Sequence, residues 1–132
     1  AVVAISAPAR WTGHDQKAWK RLLWLIESTR GRAIAGRLGY RLADAWDDPE
    51  TPEAVIGRIA PTPVVLVHGE DDRVFRLDEA RRLYEAASEP KRLMIAKRFG
   101  HAEDGLRPRF AERIGERLLA LLADARAAED TA

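Results

Sequence analysis

The apolar residues of the chain fall into short runs that are separated by stretches with helical periodicity. Three runs, at residues 1–5, 64–67 and 92–96, are rich in Val, Ile, Leu or Ala. Runs of this length, with Pro or Gly at one or both ends, are typical of strands that are buried on both faces. We therefore predict three strands in one sheet.

Helical spacing of apolar positions fills the segments between and after these strands. It predicts helices over residues 15–29, 33–38, 51–58 and 78–87, and a longest helix that begins near residue 107. Asp78 is the expected cap of the fourth helix. Because strands that alternate with helices favour a parallel sheet with right-handed crossovers, we predict an α/β fold. Its core is a three-stranded parallel sheet flanked by helices.

The segment between the first two predicted strands is too long for a plain crossover. We interpret residues 11–60, approximately, as a helical cap insertion after strand one. The 132 residues suit a single domain, which we assign to residues 1–127 with a frayed tail at 128–132. Since the chain opens on an apolar run without Met, we expect it to be part of a longer protein.

Composition and charge exclude several classes of protein. The 22 Lys and Arg residues nearly balance the 21 Asp and Glu residues, which argues against nucleic-acid or membrane-surface binding. No apolar run approaches the roughly 20 residues that span a bilayer. The lack of cysteine excludes disulfides, a thiolate nucleophile and Cys-ligated zinc, and it fits a reducing compartment. We expect a cytoplasmic protein.

Two polar loops follow the second and third predicted strands, at residues 68–75 and 99–103. Because the carboxyl ends of parallel strands share one edge of a sheet, Asp72 and His101 are expected on adjacent loops at that edge. A carboxylate in this position can fix the tautomer of an imidazole and stabilise its protonated form. This arrangement is the acid and base part of a nucleophilic triad, with Asp71 as the alternative acid.

The same loops resemble those of a known family. Residues 63–74 (PVVLVHGEDDRV) resemble the acid-bearing strand and loop of α/β-hydrolases, and Gly100-His101 resembles the family's histidine loop. Residues 1–11 are similar to the strand that follows the nucleophile-bearing unit. The resemblance extends to about residue 122 and corresponds to the C-terminal half of such a serine hydrolase.

The resemblance implies both a role for these residues and an activity. It implies Asp72 as the triad acid and His101 as the general base of an esterase or peptidase-like acyl hydrolase. The substrate would be a small or medium acyl compound, and no cofactor is expected. The family's Gly-x-Ser-x-Gly nucleophile elbow does not occur here, and the serines are Ser6, Ser28 and Ser88. We therefore expect the nucleophile upstream and this chain alone to be inactive.

Other polar and aromatic residues have simpler interpretations. His68 is expected to be structural, as a hydrogen-bond partner for loop backbone, and His14 has no evident role. A metal site could gather His68, Asp71, Asp72, His101 and Glu103, but their spacing matches no metal-binding template, so no metal is predicted. The tryptophans could pack the core or form an apolar substrate wall: Trp11, Trp19, Trp24 and Trp46.

A non-catalytic function is the alternative. The first strand would leave one edge unpaired, and such edges can pair with another chain. The chain would then be an α/β interaction module that oligomerises through this strand or through the apolar insertion helix. We expect a homo-oligomer or pairing with a missing N-terminal half.

Overall fold

A computed structural model describes residues 1–42 and 49–129 of the chain. Trp46 and the last three residues of the predicted tail lie outside the described residues. No described helix combines the length and the apolar character needed to cross a bilayer.

The sheet has three parallel strands in the order β1-β2-β3. They are β1 (Val2–Ile5), β2 (Val64–Gly69) and β3 (Lys91–Ala96). Both neighbouring pairs are parallel, with Ile5 opposite Val67 and His68 opposite Ile95. Every residue of the central strand β2 is buried, as expected for a Val-rich run covered on both faces. The predicted three-stranded α/β fold is confirmed.

The described part of the chain has five α-helices: α1 (Lys17–Glu27), α2 (Thr29–Arg37), α3 (Pro52–Val55), α4 (Leu77–Ala86) and α5 (Pro108–Glu129). Short 3₁₀ turns follow α3 at Ile56–Ile59 and precede α5 at Ala102–Leu106. The first three helices lie within the segment predicted as an insertion. Helix α5 extends into the predicted tail, because Ala127 and Ala128 are strong helix formers.

Two predicted helix starts need correction. Helix α2 begins at Thr29 rather than near residue 33, because Ser28 Oγ accepts a hydrogen bond from the backbone N–H of Gly31 at 3.0 Å and caps the helix there. Asp78 does not cap α4. That helix already begins at Leu77, and Asp78 lies in its first turn, where its charge is favourable to the helix dipole.

Alternating side chains of β2 enter two separate clusters, one on each face of the sheet. Helix α4 and the 3₁₀ turn after α3 pack in the first cluster: Ala9, Ile56, Val64, Leu66, Leu83 and Ala87. Helix α5 covers the second: Val65, Val67, Ile114 and Leu121. The sheet is therefore fixed between two layers, which holds the loops at its carboxyl edge in place.

Candidate active site

The loops that follow β2 and β3 are joined to each other by backbone hydrogen bonds. The N–H of Asp71 donates to the carbonyl of Phe99 at 3.0 Å, and the N–H of Glu70 donates to that of Ala96 at 3.0 Å. Gly69 allows this approach, because a Cβ there would collide with the carbonyls of Phe99 and Gly100. The backbone itself thus brings the two polar loops together.

Asp72 and His101 meet across these loops. The Oδ2 atom of Asp72 lies 2.9 Å from Nδ1 of His101. The other oxygen, Oδ1, accepts hydrogen bonds from the backbone N–H groups of Val74 at 2.8 Å and Phe75 at 3.1 Å. The Asp72 side chain is only 1% exposed, and that of His101 is 27% exposed. The carboxylate is therefore held from two sides, while the imidazole reaches the surface.

Asp72 remains ionised despite its burial. Burial raises the pKa of Asp72, but hydrogen bonds from His101, Val74 and Phe75 outweigh this effect and hold the pKa below its usual value. Because an ionised carboxylate only accepts hydrogen bonds, the shared hydrogen belongs to Nδ1 of His101. In its neutral form, His101 therefore has Nε2 free to accept a proton.

The alternative acid, Asp71, is positioned differently. Its side chain is exposed on the wall of a cleft of about 380 Å³, which also borders His101. Of the two neighbouring carboxylates, Asp72 is the one bonded to the imidazole ring. Arg73, Arg98 and Glu103 also border this cleft.

His68 is fully buried at the end of β2. Its Nε2 atom lies 3.3 Å from the carbonyl oxygen of Phe75 and 3.8 Å from Oδ2 of Asp72. Burial lowers the pKa of His68, so the ring is neutral and can donate its Nε2 hydrogen to Phe75. This contact is the predicted pairing with loop backbone.

An aromatic contact reaches this site from the segment between β1 and β2. The ring of Phe75 lies 5.6 Å from that of His101 and 5.2 Å from those of both His14 and Trp19, centre to centre. His14, which had no evident role in the sequence, is buried there, and its Nε2 atom lies 2.8 Å from the carbonyl of Arg10. Sequence reasoning assigned no role to Phe75, although it is the last residue of the polar loop at 68–75.

The tryptophans separate into different environments. Trp19 packs beside the site, whereas Trp24 is half exposed on α1. The indole N–H of Trp11 donates to the carbonyls of Pro49 and Glu50. Among residues 1–42 and 49–129, no three His, Asp or Glu side chains are grouped in a way that could hold a metal ion.

Comparisons with known proteins give partial matches. No family model matches the chain. A segment of 57 residues, which is 43% of this chain, is 37% identical to the uncharacterized protein YfhR of Escherichia coli K12. The same segment length and identity hold for YfhR of Escherichia coli O157:H7. The match spans about a fifth (19%) of the length of these curated relatives.

Two crystal structures are similar to the chain. The α/β hydrolase GrgF from Penicillium sp. sh18 has a TM-score of 0.46 and 25% identity, over 74% of this chain and 36% of that one. The non-heme bromoperoxidase BpoC from Mycobacterium tuberculosis H37Rv has a TM-score of 0.53 and 16% identity, over 93% of this chain and 57% of BpoC. At this identity, the likeness to BpoC shows a shared fold.

Proposed function

We propose that this chain, which has a partial α/β-hydrolase fold, supplies the acid and the histidine of the catalytic triad of a serine hydrolase. The 2.9 Å contact between Asp72 and His101 carries this proposal. A buried, ionised carboxylate at Nδ1 keeps Nε2 of the ring available as a base. The serine belongs to a segment outside this chain.

In the proposed mechanism, the serine oxygen attacks the acyl carbon and its proton passes to Nε2 of His101. The resulting imidazolium is stabilised by the negative charge of Asp72. His101 then donates this proton to the leaving alcohol or amine as the bond to the acyl carbon breaks. Water attacks the acyl-enzyme, His101 accepts one of its protons and returns it to the serine oxygen, and the free acid leaves.

The cleft beside His101 supports a small or medium acyl substrate. Its volume of about 380 Å³ lies at the lower end of the usual range for small-molecule sites. Of the two triad side chains, only His101 borders this cleft, as a base needs to, whereas Asp72 is shielded from it. As part of the proposal, we place the protein in the cytoplasm, which the absence of cysteine supports.

The test uses the natural protein that contains this sequence and measures hydrolysis of p-nitrophenyl esters. His101→Gln removes the base. Asp72→Asn favours the other tautomer of His101, in which Nε2 carries the hydrogen and cannot act as a base. Each variant should lower kcat by about 10⁴-fold. Glu70→Gln, an exposed carboxylate in the same loop, is the matched control and should retain activity. Full activity in Asp72→Asn would refute the proposed role of Asp72.

The isolated chain gives a separate test of where the nucleophile lies. It should neither hydrolyse activated esters enzymatically nor react with a fluorophosphonate probe. Mass spectrometry would locate any label. A label on Ser6, Ser28 or Ser88 would contradict the proposal that the serine belongs to another segment.

The exposed apolar side chains of the insertion favour a second function, as an interaction module. Helix α1 buries none of its residues, and β1 is the edge strand of the sheet that residues 1–42 and 49–129 form. Five side chains, each at least 40% exposed, lie on α1, α2 and the residues after them: Leu22, Trp24, Ile34, Leu38 and Tyr40. Because exposed apolar patches mark interaction sites, this surface could join two copies of the chain.

Light scattering over a range of concentrations tests this second function. We expect a dimer that Trp24→Lys disrupts. Leu119→Lys, which changes an exposed leucine on α5, should leave the dimer intact. A monomer at all concentrations would contradict oligomerisation, and it would leave the catalytic proposal unaffected.

A further inference from the structure

Ser6 lies at the carboxyl end of β1, beside the triad pair. Its backbone N–H donates to the carbonyl of Val67 at 2.8 Å, and continuation of the β1-β2 register places Ser6 next to His68. The residue is buried. Ser6 therefore occupies the same edge of the sheet as the loop that carries Asp72.

Two features of Ser6 are unfavourable. Its φ angle is +51°, in the left-handed region that residues with a side chain adopt infrequently. Its Oγ atom is also buried and makes no well-formed hydrogen bond with any residue in the described ranges. A buried hydroxyl without a partner costs free energy. Strained residues of this kind tend to occur at functional sites, which suggests that the hydroxyl has a role there.

Asp72 has the capacity to bind this hydroxyl. Its Oδ1 atom already accepts two backbone hydrogen bonds, whereas Oδ2 accepts one, from His101. A carboxylate oxygen has two lone pairs, so Oδ2 can accept one more hydrogen bond. The Ser6 hydroxyl lies close enough to Asp72 to help lower its pKa. A hydroxyl hydrogen rotates freely and can turn towards this oxygen.

We propose that Ser6 is a positioning residue whose hydroxyl donates to the Asp72 carboxylate and keeps it directed at His101. This role in catalysis rests on the proposed function. It also explains why a serine occupies a left-handed position that glycine or asparagine would adopt more readily. Ser6 is unsuited to be the nucleophile, because its Oγ atom is inaccessible to an acyl carbon.

The first experiment measures the pKa of Asp72 in the isolated chain, from the carboxyl ¹³C shift as a function of pH. His68 and His101 are the basic side chains that the described residues bring within 4 Å of the Asp72 carboxylate. Both are unchanged in Ser6→Ala, so a rise in the pKa of Asp72 reports the loss of the hydroxyl. Ser88→Ala, which changes an exposed serine, is the control and should leave the pKa unchanged.

Ser6→Gly separates the hydroxyl from the backbone strain. It removes the hydroxyl and also relieves the left-handed conformation, so it should fold even if Ser6→Ala does not. The proposal predicts a rise in the pKa of Asp72 in both variants. An unchanged pKa in either one would overturn it, because the effect would then not follow the hydroxyl.

A second readout is the Nδ1–H proton resonance of His101 at neutral pH. Donation to Asp72 places it far downfield, and both Ser6 variants should shift it upfield or broaden it. In the natural protein, Ser6→Ala should lower kcat by about 10- to 100-fold through misplacement of the pair. If the natural protein hydrolyses no acyl ester, the proposed function fails, whereas an unchanged pKa of Asp72 refutes only the role of Ser6.

Discussion

The carboxylate of Glu79 accepts a hydrogen bond from the backbone N–H of Ala9 at 2.9 Å, although the two residues are 70 positions apart. Arg10 donates to the same carboxylate through Nη2 at 2.7 Å. Glu79 is only 2% exposed. Burial raises the pKa of Glu79, but the hydrogen bonds from Arg10 and Ala9 outweigh it and hold the pKa below its usual value. This contact fixes the segment after β1 to α4.

Glu79→Gln should therefore destabilise the fold. The glutamine amide oxygen can still accept a hydrogen bond, but the substitution removes the negative charge that Arg10 and the buried N–H of Ala9 contact. Because the Arg10 side chain is about one third exposed (37%), we expect a moderate loss of about 1–3 kcal/mol in the free energy of unfolding. Urea denaturation measures it. Glu85→Gln, on the exposed side of the same helix, should change stability by less than about 0.5 kcal/mol.

Acid should destabilise the protein through Asp72 and Glu79. The folded state lowers the pKa of both from ordinary values of 3.8 and 4.5. Their contribution to stability is therefore fully present above these values and is lost as the pH falls through the lowered, folded pKa values. Urea denaturation at several pH values between 7 and 3 should show this loss. A double variant, Asp72→Asn with Glu79→Gln, should show a flatter pH profile below pH 4.5, and an unchanged profile would contradict this assignment.

The sheet and the Asp72–His101 pair could be predicted because their signals are local. A Val-rich run between Pro63 and Gly69 indicates a buried strand in any context, and parallel strands bring the loops after them to one edge. The proximity of the loops that carry Asp72 and His101 then follows from topology, and the His-Gly-x-x-Asp spacing of the family favours Asp72 over Asp71.

The strain at Ser6 and the burial of Glu79 could not be predicted in the same way. Nothing near Glu79 in the sequence indicates that Ala9 and Arg10, some 70 residues earlier, will supply its hydrogen bonds. Local preference also predicts the wrong start for α4, because Asp78 is a better helix cap than Arg76. In the structure, the backbone carbonyl of Arg76 already accepts from the N–H of Glu79, so the helix starts earlier.

His68 should make the stability depend on pH in a higher range. Burial lowers the pKa of His68 from its ordinary value of 6.5, so the unfolded chain binds a proton at a pH where the folded chain does not. This difference reduces stability as the pH falls from about 6.5 towards the folded pKa. His68→Gln should remove this part of the pH dependence in urea denaturation between pH 7 and 5. Glu70→Gln should retain it, and equal slopes in the wild type and His68→Gln would contradict the prediction.

Gly69 and Gly36 should respond to alanine in opposite directions. A Cβ at Gly69 meets the carbonyls of Phe99 and Gly100, which are rigid backbone atoms, so Gly69→Ala must separate the two loops. We expect a loss of at least about 2 kcal/mol in the free energy of unfolding. A Cβ at Gly36, inside α2, meets no atom of the described residues within 4 Å apart from the adjoining backbone of its own helix, so Gly36→Ala should stabilise the helix by about 0.5–1 kcal/mol. Urea denaturation of both variants measures the difference. If Gly69→Ala were as stable as the wild type, the close approach of the loops that carry Asp72 and His101 would not exist in solution.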